Sequence, residues 1–262
     1  MNLVIGNTSQ LAQYFPDDYI KISSRDIDFS YISNNNWDSV YITFAEQRIY
    51  DPNIDYITPN YIYTLKIINS LLNNSKKIVC YTSCELWNSL SGKISVETSP
   101  KFYPLNNEYN ISKLLLLNKI IEYRKINSLY NKVIFIHPFY FNSIHRSEYF
   151  LFGKIFQSII HNKKINVGNL DFYRDIVHAN FVVKQSIDNN QDAMVGSGKL
   201  FHVRQFIKDL YELNDMDYDY YVNESNNLIT GQKLIMAQTN SNYEYKNLLF
   251  DTQSDILSVK NK

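Results

Sequence analysis

The chain has 262 residues, 45% of them hydrophobic, enough for one large α/β domain or a domain with a small extra lobe. Lysine plus arginine and aspartate plus glutamate number 26 each, so no global field draws nucleic acid or an anionic membrane, and an anionic ligand must be held by local charges. No stretch approaches the roughly 18 apolar residues of a membrane span. The opening MNLVIGNTSQ lacks the basic and apolar regions of a targeting segment, and Cys80 and Cys84 read as reduced thiols, so a cytoplasmic protein without a metal site is expected.

In chain order, NLVI (2–5) reads as a buried strand ending at Gly6, followed by an amphipathic piece in SQLAQYF. YIKI (19–22) and SVYITF (39–44) are the next strands, and NYIYTLKIINSLL carries apolar residues at helical spacing. Then come strand KIVCYT (77–82), helix YNISKLLLLNKIIEYRKI (109–126), strand KVIFIH (132–137) and helix YFLFGKIFQSII (149–160). Alternation at this spacing implies a doubly wound parallel sheet covered on both faces. The C-terminal third differs, with short strands, a helix at VRQFIKDLYEL and a polar tail. The expected organisation is a dinucleotide-binding domain over 1–165 and a smaller substrate-binding lobe over 166–262, with parts of the chain crossing between them.

In such a sheet the first strand-to-helix turn cradles a pyrophosphate on backbone N–H groups and the helix dipole. Gly6, Thr8, Ser9, Gln10 and Leu11 occupy it, with Ser9 and Ala12 where glycines often stand. About twenty residues on, an acid would bind a ribose hydroxyl and an arginine a 2′-phosphate. Ser24, Arg25 and Asp26 are all available there, which leaves NAD and NADP both open. Tyr109 stands one helical turn before Lys113, a spacing that places a phenol beside a cation able to favour its ionised form.

Four blocks in order carry a resemblance: YTSCELWN (81–88), KFYPLNNEYNISK (101–113), VGNLDFYRDIVHANFV (167–182) and GSGKLFHVRQF (196–206). Together they resemble the extended short-chain dehydrogenase/reductases that act on nucleotide sugars, closest to the GDP-mannose 4,6-dehydratase branch, over residues 1 to about 210. The resemblance implies a Rossmann-like fold, bound NAD or NADP, a nucleotide-activated sugar as substrate with a GDP-linked one favoured, and a homodimer. Tyr109 would be the base on the sugar C4 hydroxyl, Lys113 would hold the nicotinamide ribose, Ser83 would bond the same hydroxyl, and Glu85 would remove the C5 proton. Cys84, Arg146, Asn169 and Arg174 would meet the substrate, Arg174 as the remaining cation for the diphosphate; an ion pair with Asp171 or Asp175 is its alternative.

Departures from the family are Trp87 and Asn88 after the Glu-Leu pair, Tyr140 where an asparagine contacts the sugar, and Val222 where a later arginine holds the nucleotide. The leading expectation is a 4,6-dehydratase. An epimerase, a C4 dehydrogenase, a 4-keto reductase or a catalytically degenerate nucleotide-binding protein are the alternatives.

Overall fold

The computed structural model describes residues 1–48, 53–102, 108–225 and 234–260. In chain order the elements are β1 (Asn2–Ile5), β2 (Ile20–Ile22), α1 (Phe29–Asn34), β3 (Trp37–Ile42), α2 (Thr64–Leu71) and β4 (Ser75–Tyr81). There follow β5 (Gly92–Ile94), α3 (Glu108–Ile126), β6 (Val133–Pro138), β7 (Tyr140–Asn142), α4 (Leu151–His161), β8 (Ile165–Val167), β9 (Tyr173–Arg174) and β10 (Ile176–His178). The last are α5 (Ala179–Asp188), β11 (Ala193–Val195), β12 (Phe201–His202), α6 (Val203–Glu212), α7 (Tyr218–Tyr221), β13 (Val222–Glu224), β14 (Ile235–Ala237) and α8 (Tyr245–Lys260). No described helix is long and apolar enough to cross a membrane.

Two compact units result. The first comprises Met1–Ser89, Val96–Pro138 and Val183–Val195. Its centre is a six-stranded sheet in the order β11-β6-β4-β3-β1-β2, parallel throughout. Ile78 and Val79 on β4, and Val133, Phe135 and Ile136 on β6, are fully buried, as strands covered on both faces must be. The order reverses between β1 and β3, and at such a switch point an open α/β sheet forms its ligand crevice. β11 pairs with β6 through Ala193↔Ile136, which returns 183–195 to this unit although 139–182 belongs to the other. The expected boundary at 165 therefore falls inside the second unit.

The second unit comprises Leu90–Ser95, Phe139–Val182 and Gly196–Lys262. Its strands form four two-stranded ladders: β7 with β10, β8 with β13 and β5 with β14 in parallel, β9 with β12 antiparallel. Asp175, fully buried, ties three segments together. Its carboxylate accepts hydrogen bonds from the Ser197 N–H and hydroxyl (both 2.7 Å), the Gly198 N–H (3.0 Å) and the Ala237 N–H (2.9 Å).

Three elements differ from expectation. SQLAQYF forms only a three-residue 3₁₀ turn, Ala12–Tyr14, because just fourteen residues separate β1 from β2 and Pro16 holds the preceding Phe15 extended. NYIYTLKIINSLL begins as a π-helical turn, Thr58–Tyr63, before α2. The polar tail is helix α8: its buried stripe is Leu248, Thr252 and Ile256, one residue per turn and too narrow to register as an apolar face.

Candidate active site

Helix α3 begins at Glu108, so Tyr109 and Lys113 lie on its first turns, 7% and 4% exposed. Residues four apart share a helix face. The Lys113 ammonium donates to the Tyr81 carbonyl at the end of β4 (3.1 Å), and the Asn110 amide donates to the Glu85 carbonyl (3.2 Å). These two bonds fasten the start of α3 to the carboxyl edge of the sheet and to the turn that follows β4.

That turn is a 3₁₀ turn, Cys84–Trp87, capped by the Ser83 hydroxyl, which accepts from the Glu85 N–H (3.2 Å). Ser83 and Glu85 are half-buried and Cys84 is buried. The Glu85 carboxylate accepts from the Asn88 side-chain amide (2.8 Å). Both cysteines are free thiols.

Lys113 has three N–H donors, and the Tyr81 carbonyl is its one partner among the described residues. Burial pushes its ammonium down to about 8, the nearby Cys80 opposing the shift. A charged group held dry with donors unmatched is unfavourable unless a ligand completes its shell.

The sequence reading did not single out Asn60, which the structure places beside this set. Asn60 is 1% exposed on the π-helical turn, a form of helix that recurs at functional sites. Its side chain accepts from the Glu46 N–H (2.9 Å) and donates to the Glu46 carbonyl and the Ser112 hydroxyl (3.1 Å each). It thereby joins the segment after β3 to the residue preceding Lys113. The available signal was a carboxamide at the head of the helical run NYIYTLKIINSLL.

At the switch point, Gly6 has φ +108, and a Cβ there would lie 2.9 Å from the Phe44 Cβ, so glycine is required on both counts. Its N–H and that of Asn7 donate to the Ile22 carbonyl (2.9 and 3.1 Å). Ser9 accepts from the Ala12 N–H (3.2 Å) and donates to Thr43 (2.8 Å), holding Thr8, Gln10 and Leu11 in a compact turn. The expected helix dipole is missing, since three residues of 3₁₀ follow rather than an α-helix. Ser24 is half-buried and Arg25 and Asp26 are exposed just beyond β2.

Arg146, Asn169 and Arg174 belong to the second unit. Arg146 stacks on Phe150, its guanidinium carbon 3.8 Å from the ring centre. Asn169 closes a local turn by accepting from the Asp171 N–H (2.7 Å). Arg174 is buried against Phe172 and Tyr140, 4.6 and 5.2 Å from the ring centres, and donates to the Tyr173 carbonyl (2.7 Å). Of the two neighbouring aspartates, Asp175 accepts the backbone and Ser197 hydrogen bonds described above, and Asp171 meets His202 (2.9 Å) and Arg204 (3.7 Å). Val222 lies on β13, and Arg204 pairs with Glu224 (2.9 Å). His178 bonds Asp255 (2.9 Å) and orders its own turn.

No family model matches the sequence, and no curated protein matches it. Solved structures do match in fold. RMD from Pseudomonas aeruginosa, complexed with NADPH, superposes with a TM-score of 0.77 at 14% identity, covering 98% of this chain and 99% of that one. The UDP-N-acetylglucosamine 4-epimerase of Methanobrevibacter ruminantium, in complex with UDP-N-acetylmuramic acid, gives 0.78 at 14% identity, covering 98% of each chain. A double mutant of DesIV, the dTDP-glucose 4,6-dehydratase of Streptomyces venezuelae, with NAD bound, gives 0.79 at 12% identity, covering 100% and 98%. The chain therefore has the Rossmann-type fold of these structures, as its sequence pattern implied.

Proposed function

We infer that the chain is an NAD(P)-dependent enzyme that oxidises or reduces C4 of a nucleotide-linked sugar, and that dehydration across C5 and C6 follows. The observation that carries this reading is Lys113: a buried ammonium with one partner among the described residues, one turn from Tyr109 and bonded to the strand that leads to Ser83. The solved structures similar in fold support the substrate class, because they are described with UDP- and dTDP-linked sugars as ligands or substrates, and the dTDP-glucose 4,6-dehydratase also with NAD. A GDP-linked substrate remains within the proposal as one arm of its test.

A bound nicotinamide would exchange a hydride with the sugar carbon. The Lys113 donors without a partner among the described residues fit the ribose hydroxyls of such a group; in the turn Gly6–Leu11 the N–H groups of Gly6, Asn7 and Ser9 are already engaged, so a pyrophosphate there would meet the remaining backbone of the turn. Tyr109 then takes or returns the proton of the C4 hydroxyl, and the cation one turn away stabilises charge on the phenol oxygen. Ser83 hydrogen-bonds the same hydroxyl. Once C4 is a ketone the C5 proton is acidic, and Glu85, two residues beyond Ser83, is the base assigned to it. The C6 hydroxyl leaves as water on taking a proton from Glu85 or from a water, and return to C6 of the hydride removed from C4, with a proton to C5, would give the 4-keto-6-deoxy sugar. The Asn88 contact favours a second reading, in which Glu85 only caps its turn and the reaction is epimerisation or a simple redox step.

Differential scanning with NAD, NADH, NADP and NADPH, each with and without UDP-, dTDP- and GDP-hexoses, tests the class. At least one dinucleotide is expected to raise the melting temperature, with a further rise on adding its sugar. Because no helix dipole backs the Gly6 turn, the dinucleotide is expected to be removed by simple dialysis. No stabilisation by any of the four would support a degenerate fold without turnover.

Assembly is part of the proposal. Ile62 (54% exposed) before α2 and Leu115 (40%), Ile121 (39%) and Ile126 (75%) on α3 present apolar side chains to solvent. Two copies pairing these helices about a two-fold axis would cover them. Sedimentation at micromolar concentration is expected to give a dimer, and Ile62→Lys with Leu115→Lys a folded monomer; a wild-type monomer contradicts the pairing.

A further inference from the structure

One buried imidazole touches both ends of the turn that carries Ser83 and Glu85. His137 lies near the end of β6, 3% exposed. Its Nδ1 is 2.5 Å from the Thr82 hydroxyl, the residue before Ser83. Its ring meets Trp87, the last residue of the 3₁₀ turn, edge to face at 5.2 Å between centres and 87° between planes. Trp87 is itself fixed by its indole N–H, which donates to the Thr98 carbonyl (2.7 Å).

The backbone makes this contact consequential. The Thr82 N–H donates to the Ile136 carbonyl (3.0 Å), which extends the β4–β6 ladder one residue past the strand. Ser83 is still extended, at φ −158 and ψ 147. Successive side chains on extended backbone point to opposite faces. Holding the Thr82 hydroxyl toward β6 therefore turns the Ser83 hydroxyl the other way. The Thr82 hydroxyl has no other partner among the described residues. Burial pushes the imidazole down to about 4, so it is neutral at working pH and brings no charge to the neighbouring Arg124–Asp192 pair.

We propose that His137 is a positioning residue that fixes the Ser83–Glu85 turn from both ends, through Thr82 on one side and Trp87 on the other. The inference rests on the roles given above to Ser83 and Glu85, and it has a readout independent of them.

The test compares wild type with Thr82→Val, His137→Phe and His137→Asn. Phenylalanine keeps the ring against Trp87 but loses the bond to Thr82; asparagine restores a hydrogen-bonding atom near the place of Nδ1. Hydrogen–deuterium exchange is read on the peptide covering 82–88 and on peptides from β1 and β3. Amides in 82–88 are expected to exchange at least about tenfold faster in Thr82→Val and His137→Phe, with β1 and β3 unchanged and His137→Asn, which regains the Thr82 bond but loses the ring on Trp87, intermediate between these and wild type. With a substrate in hand, the first two variants are expected to lose about 10–100-fold in kcat at unchanged KM and dinucleotide affinity, the scale of a small misplacement of a reacting group. Unchanged protection of 82–88, or equal loosening of all peptides, overturns the proposal. Absence of wild-type turnover counts against the functional reading alone, since the exchange result stands without it.

Discussion

Replacing Glu85 by glutamine is expected to leave oxidation at C4 intact while abolishing release of a 4-keto-6-deoxy sugar. Replacing Tyr109 by phenylalanine is expected to remove both steps, with a loss of about 10³-fold in turnover, the scale of general acid–base catalysis. The two residues stand on different elements, Tyr109 at the start of α3 and Glu85 in the turn after β4, joined by the bond from Asn110 to the Glu85 carbonyl. That bond uses the backbone of Glu85, and glutamine keeps a side-chain oxygen for the Asn88 amide, so Glu85→Gln removes the base while both contacts can persist. Absorbance of the reduced nicotinamide reports the first step, and product mass the second. Product formation unchanged in Glu85→Gln would make Glu85 a cap, with Asn88 as its partner, and would leave an epimerase, dehydrogenase or reductase.

The second large effect separates activity from stability. Lys113→Met is expected to weaken dinucleotide binding by about 10–100-fold, through lost charge-assisted hydrogen bonds, and yet to raise the melting temperature. The ammonium is held at about 8 against its ordinary 10.5, so the folded chain binds this proton more weakly than the unfolded chain. Stability from this group therefore rises as pH climbs from about 8 toward 10.5, and near neutrality the buried charge costs on the order of 3 kcal/mol. Methionine removes that cost but leaves the Tyr81 carbonyl without its donor, worth about 1 kcal/mol. The balance, about 2 kcal/mol, corresponds to a rise of about 4–8 °C. The advantage of Lys113→Met over wild type in melting temperature should therefore be smaller at pH 10 than at pH 7. A Lys113→Met protein that melts below wild type at pH 7 would mean that the ammonium is satisfied without a ligand.

What the sequence disclosed divides along physical lines. β1, β4, β6 and α3 were legible because each is a strongly apolar run: NLVI, KIVCY and VIFIHP are short and largely buried, as inner strands are, and α3 is too long for a strand. The first turn misled, since SQLAQYF has helical spacing but too few residues before β2 to complete a helix. Helix α8 was hidden because a single buried residue per turn leaves the composition polar. At the site, Tyr109 and Lys113 announced themselves by spacing. Asn60 and His137 did not, because their partners, Ser112 and Thr82, lie 52 and 55 residues away. Arg174 was read as the cation for the diphosphate, with an ion pair to Asp171 or Asp175 as its alternative; its packing on Phe172 and Tyr140 was not legible, because Tyr140 lies far from it in sequence.

The central claim is that Tyr109 and Lys113 serve redox chemistry at a sugar C4. Rapid mixing of the NAD(P)-loaded protein with UDP-, dTDP- and GDP-linked hexoses, unlabelled and deuterated at C4, tests it most directly. Reduced-nicotinamide absorbance is expected to appear with at least one of them, more slowly for the deuterated form, and to be absent in Tyr109→Phe. A loaded protein that shows no such absorbance with any of these sugars, and that oxidises no reduced dinucleotide with their 4-keto derivatives, would contradict the claim.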